Sequence, residues 1–129
     1  MKRIAIIGSG PAGLMAAQAA LEQGARVSIY EAMPSAARKF LMAGKSGLNI
    51  SHSEQVEQFI GRYDAPDSRL KAIVPAFNAS DVRDWMDALD EPSFVGSSGR
   101  IFPVAMKASP LLRKWLRKLA EQGAELHTR

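Results

Sequence analysis

The chain has no cysteine and only two histidines, His52 and His127. Lack of thiols excludes a disulfide scaffold, a thiolate metal site and a cysteine nucleophile, and it suits the cytoplasm. Two histidines do not make a multi-histidine centre, so no metal is expected. Aromatic residues are only 7% of the chain. The two tryptophans, Trp85 and Trp115, fall on apolar helical stripes and read as core, which leaves no exposed stacking platform beside the basic residues. Nucleic acid is therefore not an expected partner. Long apolar runs are absent too. Met1-Lys2-Arg3 and the four apolar residues after them are too short for a signal peptide or a membrane span. No membrane partner is expected, and Asn49-Ile50-Ser51 and Asn78-Ala79-Ser80 read as chance matches to the glycosylation pattern.

What is present is a globular composition. The 129 residues are 47% hydrophobic and 23% charged, enough for one small domain with a core. The net charge of +4 is uneven: from Gly96 onward seven Lys and Arg face two Glu, and this reads as a solvated helix face. Residues 3–7 form a short apolar run, expected to be a parallel strand buried on both faces. Residues 11–23 read as a helix, with Pro11 in the first turn and Gly24 just past the end. Ala12, Gly13, Ala16, Ala17 and Ala20 give this helix a small-residue face. Val27, Ile29 and Tyr30 belong to a second strand ending at Glu31.

The divisions expected are a βαβ unit at 1–31, a long irregular segment at 32–52, a helical region at 53–90, a loop and amphipathic helix at 91–123, and a further strand at 124–129. Ser51 to Glu54, where the second division meets the third, has capping-box spacing, and helices are expected in the third at about 67–74 and at 80–89 with Ser80 as N-cap. In the fourth, Ser109 is the expected N-cap and Pro110 the first helical residue. Leu111, Leu112, Trp115, Leu116 and Leu119 lie on one face, with Arg113, Lys114, Arg117 and Lys118 on the other.

Gly8-Ser9-Gly10-Pro11-Ala12-Gly13 matches G-x-G-x-x-G. The pattern is weak alone and strong here, because it follows a strand, opens a helix and is followed by an acidic residue at the end of a second strand. Gly8 permits the tight turn, Gly10 lets backbone approach a pyrophosphate, and Gly13 allows close helix–strand contact. Free amides near Pro11 and Ala12, at the positive end of the helix dipole, suit phosphate. Glu31, 21 residues after Gly10, suits a ribose diol and opposes a 2′-phosphate. The fold class implied is α/β, of Rossmann type. Both NAD and FAD use it. The Gly-Pro-Ala-Gly form, and the long segment that follows Glu31 and Ala32 and bears Arg38 and Lys39, favour FAD.

Later residues extend the match. Arg38-Lys39-Phe40-Leu41-Met42-Ala43-Gly44, Gly47-Leu48-Asn49-Ile50-Ser51, Gly99-Arg100-Ile101-Phe102-Pro103 and Met106-Lys107-Ala108-Ser109 occur in order. With the glycine motif they resemble the NAD(P)/FAD-dependent oxidoreductase family that includes aminoacetone oxidase and the bile-acid-inducible flavoprotein. Gly47 and Leu48 stand where that family usually has Arg and Cys. The resemblance implies a flavin-dependent oxidoreductase acting on a small organic substrate, with NAD(P)H as a possible electron donor, and a protein roughly three times this length. This chain would be an incomplete N-terminal portion, inactive alone. The cofactor-binding set is then Gly8, Ser9, Gly10, Pro11, Ala12, Gly13, Glu31, Ala32, Arg38, Lys39, Gly44 and Asn49, with no catalytic acid or base identified. Two other readings stay open: a non-catalytic NAD- or FAD-binding module, and a flavoprotein acting on RNA.

Several residues have bland readings. Gly44-Lys45-Ser46 is not a P-loop end, since Lys39 stands where that motif needs glycine. Arg100 and Lys107 sit in an expected Gly/Pro-bounded loop, where a cationic site and plain solvent exposure weigh equally. His52 reads as a capping or surface residue rather than a proton carrier.

Overall fold

The computed structural model describes residues 1–63 and 68–129. In chain order the elements are β1 (Arg3–Ile7), α1 (Pro11–Glu22), β2 (Arg26–Glu31), α2 (Arg38–Met42), β3 (Ser51–His52), α3 (Val56–Gly61), α4 (Ser68–Ala76), α5 (Ala79–Ala88), β4 (Ser93–Val95), β5 (Arg100–Pro103), α6 (Ala108–Glu121) and β6 (Glu125–Thr128). They fall into two compact units, residues 1–43 with 108–129, and residues 44–107.

The first unit is a three-stranded parallel sheet in the order β1-β2-β6. β1 pairs with β2 from Arg3–Arg26 to Ile7–Tyr30, and β2 pairs with β6 from Ser28–Glu125 to Glu31–Thr128. Parallel neighbours need a crossover. α1 supplies the first and α6 leads into the last strand, so the expected mixed α/β architecture with a parallel sheet is present. Val27 and Ile29 of β2 are buried, as are Leu14 and Ala17 of α1 and Leu111, Leu112, Trp115 and Leu119 of α6. Each large apolar side chain removed from water contributes about 1.5–3 kcal/mol.

β1 departs from expectation. Its outer edge pairs with no strand among the described residues, Ile4 is 37% exposed and Ile7 84%. The apolar run is a strand, and among the described residues it stands at the edge of the sheet instead of being covered on both sides. An unpaired edge is a template for another strand.

Polar contacts also run through this core. The Trp115 indole Nε1–H donates to Gln18 Oε1 at 3.0 Å, and Gln18 Nε2 donates to Glu22 Oε1 at 3.0 Å. Phe40 meets the Trp115 ring edge-on. Trp115→Phe keeps an aromatic ring but deprives buried Gln18 of that donor. We expect a loss of about 1–3 kcal/mol in denaturant unfolding. α6 begins at Ala108, so Ser109 and Pro110 sit inside its first turn, where a missing proline N–H costs nothing.

The second unit carries an antiparallel sheet in the order β3-β5-β4. Two of its strands, β4 and β5, fall where a loop was expected. The Gly96-to-Gly99 stretch is the turn between them, closed by Gly96 N–H to Arg100 O at 2.8 Å, so Arg100 lies on a strand. Ser51 and His52 lie in β3, paired with Ile101 and Arg100, and the expected capping box there does not form. α3 instead starts at Val56 after Gln55, without a side-chain cap. The N-cap of α5 is Asn78, not Ser80. Asn78 and Asp81 form a reciprocal box, with side-chain to backbone bonds of 2.9 and 3.1 Å. Asn wins because its extended backbone already accepts the first helical bond. The expected helix start at residue 67 lies outside the described residues, and α4 is described from Ser68. Met86, Leu89 and Ile101 form the unit's buried core with Leu48.

Candidate functional site

In open α/β sheets, ligands sit outside the carboxyl ends of the strands. Gly8 follows the end of β1, and Glu31 ends β2. Gly8 has φ +96, which turns the chain sharply out of the strand and would strain any residue with a Cβ. Its N–H still donates to Tyr30 O at 2.8 Å, which ties the turn to β2. Gly13 is required for a different reason. A Cβ there would lie 2.1 Å from the Gly8 carbonyl oxygen, because α1 packs its first turn directly against the turn.

Gly10 differs from both. It has φ −67 and ψ 175 as the N-cap of α1, a conformation open to any residue, and a Cβ there would meet nothing within 4 Å. Neither backbone strain nor packing within the chain demands glycine. The Gly10 side chain is missing from open space, which is the requirement a ligand approaching the backbone would impose. Beside it, the amides of Gly10, Ala12 and Gly13 make no hydrogen bond among the described residues, and Pro11 has no N–H to leave unsatisfied. Free amides at the positive end of a twelve-residue helix attract anions.

The Glu31 carboxylate is held by the same turn. Ser9 N–H donates to Glu31 Oε2 at 2.9 Å, the Ser9 hydroxyl donates to the same oxygen, and Met33 N–H donates to Oε1 at 3.0 Å. These bonds, the Ser9 hydroxyl foremost, then the Met33 and Ser9 amides with a lesser pull from the Ala32 amide, hold the carboxyl at about 2 against an ordinary 4.5. The folded value is the lower one. The stabilisation is therefore complete above pH 4.5 and lost as pH falls toward 2. Glu31→Gln should flatten the acid limb of stability in that window, measured by denaturant titration at each pH.

Gly10, Pro11, Glu31, Met33, Ser35, Ala37, Arg38 and Lys39 line one cavity of about 230 Å³. Thus the turn, the acidic residue and the two cations meet in one place, although 27 residues separate Pro11 from Arg38. Arg38 and Lys39 open α2 and are exposed, free to pair with an anion. A larger cavity of about 670 Å³ lies against the sheet near Arg3, Arg26 and Ser28. Its lining is mostly the starts of the strands, among them Arg3, Arg26 and Glu125, and it includes neither the β1–α1 turn nor Glu31, so the smaller cavity is the better site.

The remaining expected residues stand elsewhere. Ala12 is exposed in the first turn of α1, and Ala32 is exposed just after β2. Gly44 and Asn49 belong to the second unit. Gly44 has φ +65, and a Cβ on it would lie 2.3 Å from Gly47 O, so the local turn alone requires its glycine; Asn49 is exposed. His52 accepts from Glu54 N–H at Nδ1 (3.0 Å) and reaches the Ser98 carbonyl through Nε2 (3.1 Å), a fastening of the β4–β5 turn. Lys107 is exposed. Ser9, expected in the cofactor-binding set, is instead fully buried behind the Glu31 carboxylate, a place with no signal in the sequence, since it fills a variable position of the glycine pattern and its partner lies 22 residues away. No group of three or more His, Cys, Asp or Glu among the described residues could hold a metal. None of the described helices is long and apolar enough to cross a membrane.

Comparison with known proteins agrees with the fold. No curated protein matches the sequence. Among solved structures, THI4 of Thermovibrio ammonificans is similar in fold, with a TM-score of 0.60 and 18% identity. The match covers 99% of this chain and 38% of that one, so the chain spans well under half the length of this neighbour. The family described as HI0933-like protein Rossmann domain matches residues 2–129. The chain belongs to that family, and its nucleotide fold is a Rossmann domain.

Proposed function

We propose that the β1–α1 turn, Glu31 and the start of α2 hold the ADP half of FAD, and that the chain is the FAD-binding part of a flavin-dependent oxidoreductase acting on a small organic substrate. The observation that carries this is Gly10, a glycine that nothing among the described residues requires, set beside unpaired amides and a carboxylate. The pyrophosphate would take the amides of Gly10, Ala12 and Gly13, with Arg38 and Lys39 supplying positive charge. Glu31 would accept from the ribose, and its firmly ionised carboxylate would repel a 2′-phosphate. Gly44 and Asn49 are assigned to the flavin side by the resemblance of residues 38–51 to the aminoacetone oxidase group. FAD, when bound, supplies the hydride or electron transfer, while this chain's residues bind and orient it. Family membership and the Gly-Pro-Ala-Gly turn favour FAD over a colourless nicotinamide dinucleotide.

The test is titration of the purified protein with FAD, ADP and NADP⁺, followed by calorimetry. FAD and ADP should bind, and NADP⁺ should bind at least about tenfold more weakly, since its 2′-phosphate would sit beside Glu31. Equal affinity for NADP⁺ would refute the Glu31 assignment.

A further inference from the structure

We infer that Ser9 is the positioning residue of this site: buried and out of reach of a ligand, it fixes the Glu31 carboxylate so that one oxygen is left to read a sugar hydroxyl. The inference rests on the reading of Glu31 as the ribose acceptor.

Ser9 is 0% exposed, so it touches no ligand. Every polar atom of its side chain and its amide is nonetheless engaged. The amide and the hydroxyl both donate to Glu31 Oε2, and the hydroxyl oxygen accepts from Ala37 N–H at 3.2 Å. A carboxylate oxygen has two lone pairs, and Ser9 occupies both on Oε2. Oε1 accepts from the Met33 amide at 3.0 Å, with the Ala32 amide adding only the smallest pull on the carboxylate, so Oε1 is the oxygen with acceptor capacity to spare.

The third bond gives Ser9 a longer reach. Ala37 is a non-glycine residue at φ 53, in the left-handed region that costs about 1–2 kcal/mol for a residue with a Cβ. It is also buried, so its N–H needs a partner, and Ser9 Oγ is that partner. Ala37 is the residue from which α2 starts, and Arg38 and Lys39 follow at once. One hydroxyl thus joins the glycine turn, the ribose acceptor and the backbone that launches the two cations. An alanine at position 9 would fill the same space but leave Glu31 with one donor fewer and Ala37 N–H buried and unpaired.

The probe is ADP, titrated into the whole chain against 2′-deoxy-ADP and 3′-deoxy-ADP. Ser9→Ala should weaken ADP about tenfold, the loss of one charge-assisted hydrogen bond, and erase the preference for ADP over the deoxy nucleotides. The ¹³C carboxyl titration of Glu31 should move up from about 2 toward 4.5. Arg38 and Lys39, the other charged groups lining the cavity, are unchanged by the substitution. Ser9→Thr, which keeps the hydroxyl, should restore both readouts. If Ser9→Ala does not fold, Ser9→Cys, close in size and a weaker donor, carries the same comparison. Wild-type ADP affinity and an unmoved Glu31 titration in the folded variant would overturn the role of Ser9 and leave the ribose reading standing. Wild-type protein that binds ADP no better than the deoxy nucleotides would overturn both.

Discussion

Gly13→Ala is expected to unfold the first unit or leave it loosely packed, a loss of about 3 kcal/mol or more. The new methyl would sit 2.1 Å from the Gly8 carbonyl oxygen, and that oxygen is backbone, with no rotamer to move into. Relief requires α1 to lift from the turn, which uncovers Leu14 and Ala17, both 0% exposed. Overpacking a core with flexible neighbours costs about 1–3 kcal/mol, and a rigid neighbour puts this substitution at or above the top of that range. Domains of this size have about 5–15 kcal/mol in total. The check is a denaturant midpoint with near-ultraviolet circular dichroism of Trp115, which lies in the same unit. A midpoint within experimental error of wild type would mean that α1 does not pack on the turn as described.

Gly10→Ala should do the reverse, sparing the fold and removing the binding. Its backbone angles suit alanine, and the added carbon meets no atom within 4 Å. Stability should stay within about 1 kcal/mol of wild type, because the smaller freedom of alanine in the unfolded chain is offset by its poorer fit at a helix N-cap. ADP and FAD affinity should fall about 100-fold, as a methyl group holds the pyrophosphate away from one or two charge-assisted backbone bonds. The pair of substitutions separates the two uses of glycine within one hexapeptide. Gly13 serves the chain, and Gly10 serves what the chain binds. Unchanged affinity in Gly10→Ala, with the fold intact, would remove the main support for a phosphate at this turn.

Which parts could be read from the sequence follows from how local each signal was. β1, α1 and β2 were legible because Gly8, Pro11 and Gly24 punctuate them within a few residues, and Glu31 lay at the distance from Gly10 that a βαβ unit sets. The apolar stripe of α6 was legible for the same reason. Interactions over long separations were not. β3 is two residues long and exists only through its pairing with β5, so Ser51 to Glu54 looked like a helix start. β4 and β5 are three and four residues long, too short to show a period. The exposure of β1 could not be seen either, because an apolar run reads alike whether or not a neighbouring strand covers it. At the site, Glu31 was found by spacing, but the reason its carboxylate stays ionised was not. Ser9 reaches it across 22 residues, and Gln18 reaches Trp115 across 97.

The most direct test is to follow backbone amide resonances of the wild-type chain while ADP is added. The largest shifts should fall on Gly10, Ala12 and Gly13, with Met33 and Ala37 following as the ribose engages Glu31, and little change at Arg26 and Ser28 against the sheet. Shifts centred on Arg3, Arg26 and Ser28, or no shift at the β1–α1 turn at saturating ADP, would contradict this placement.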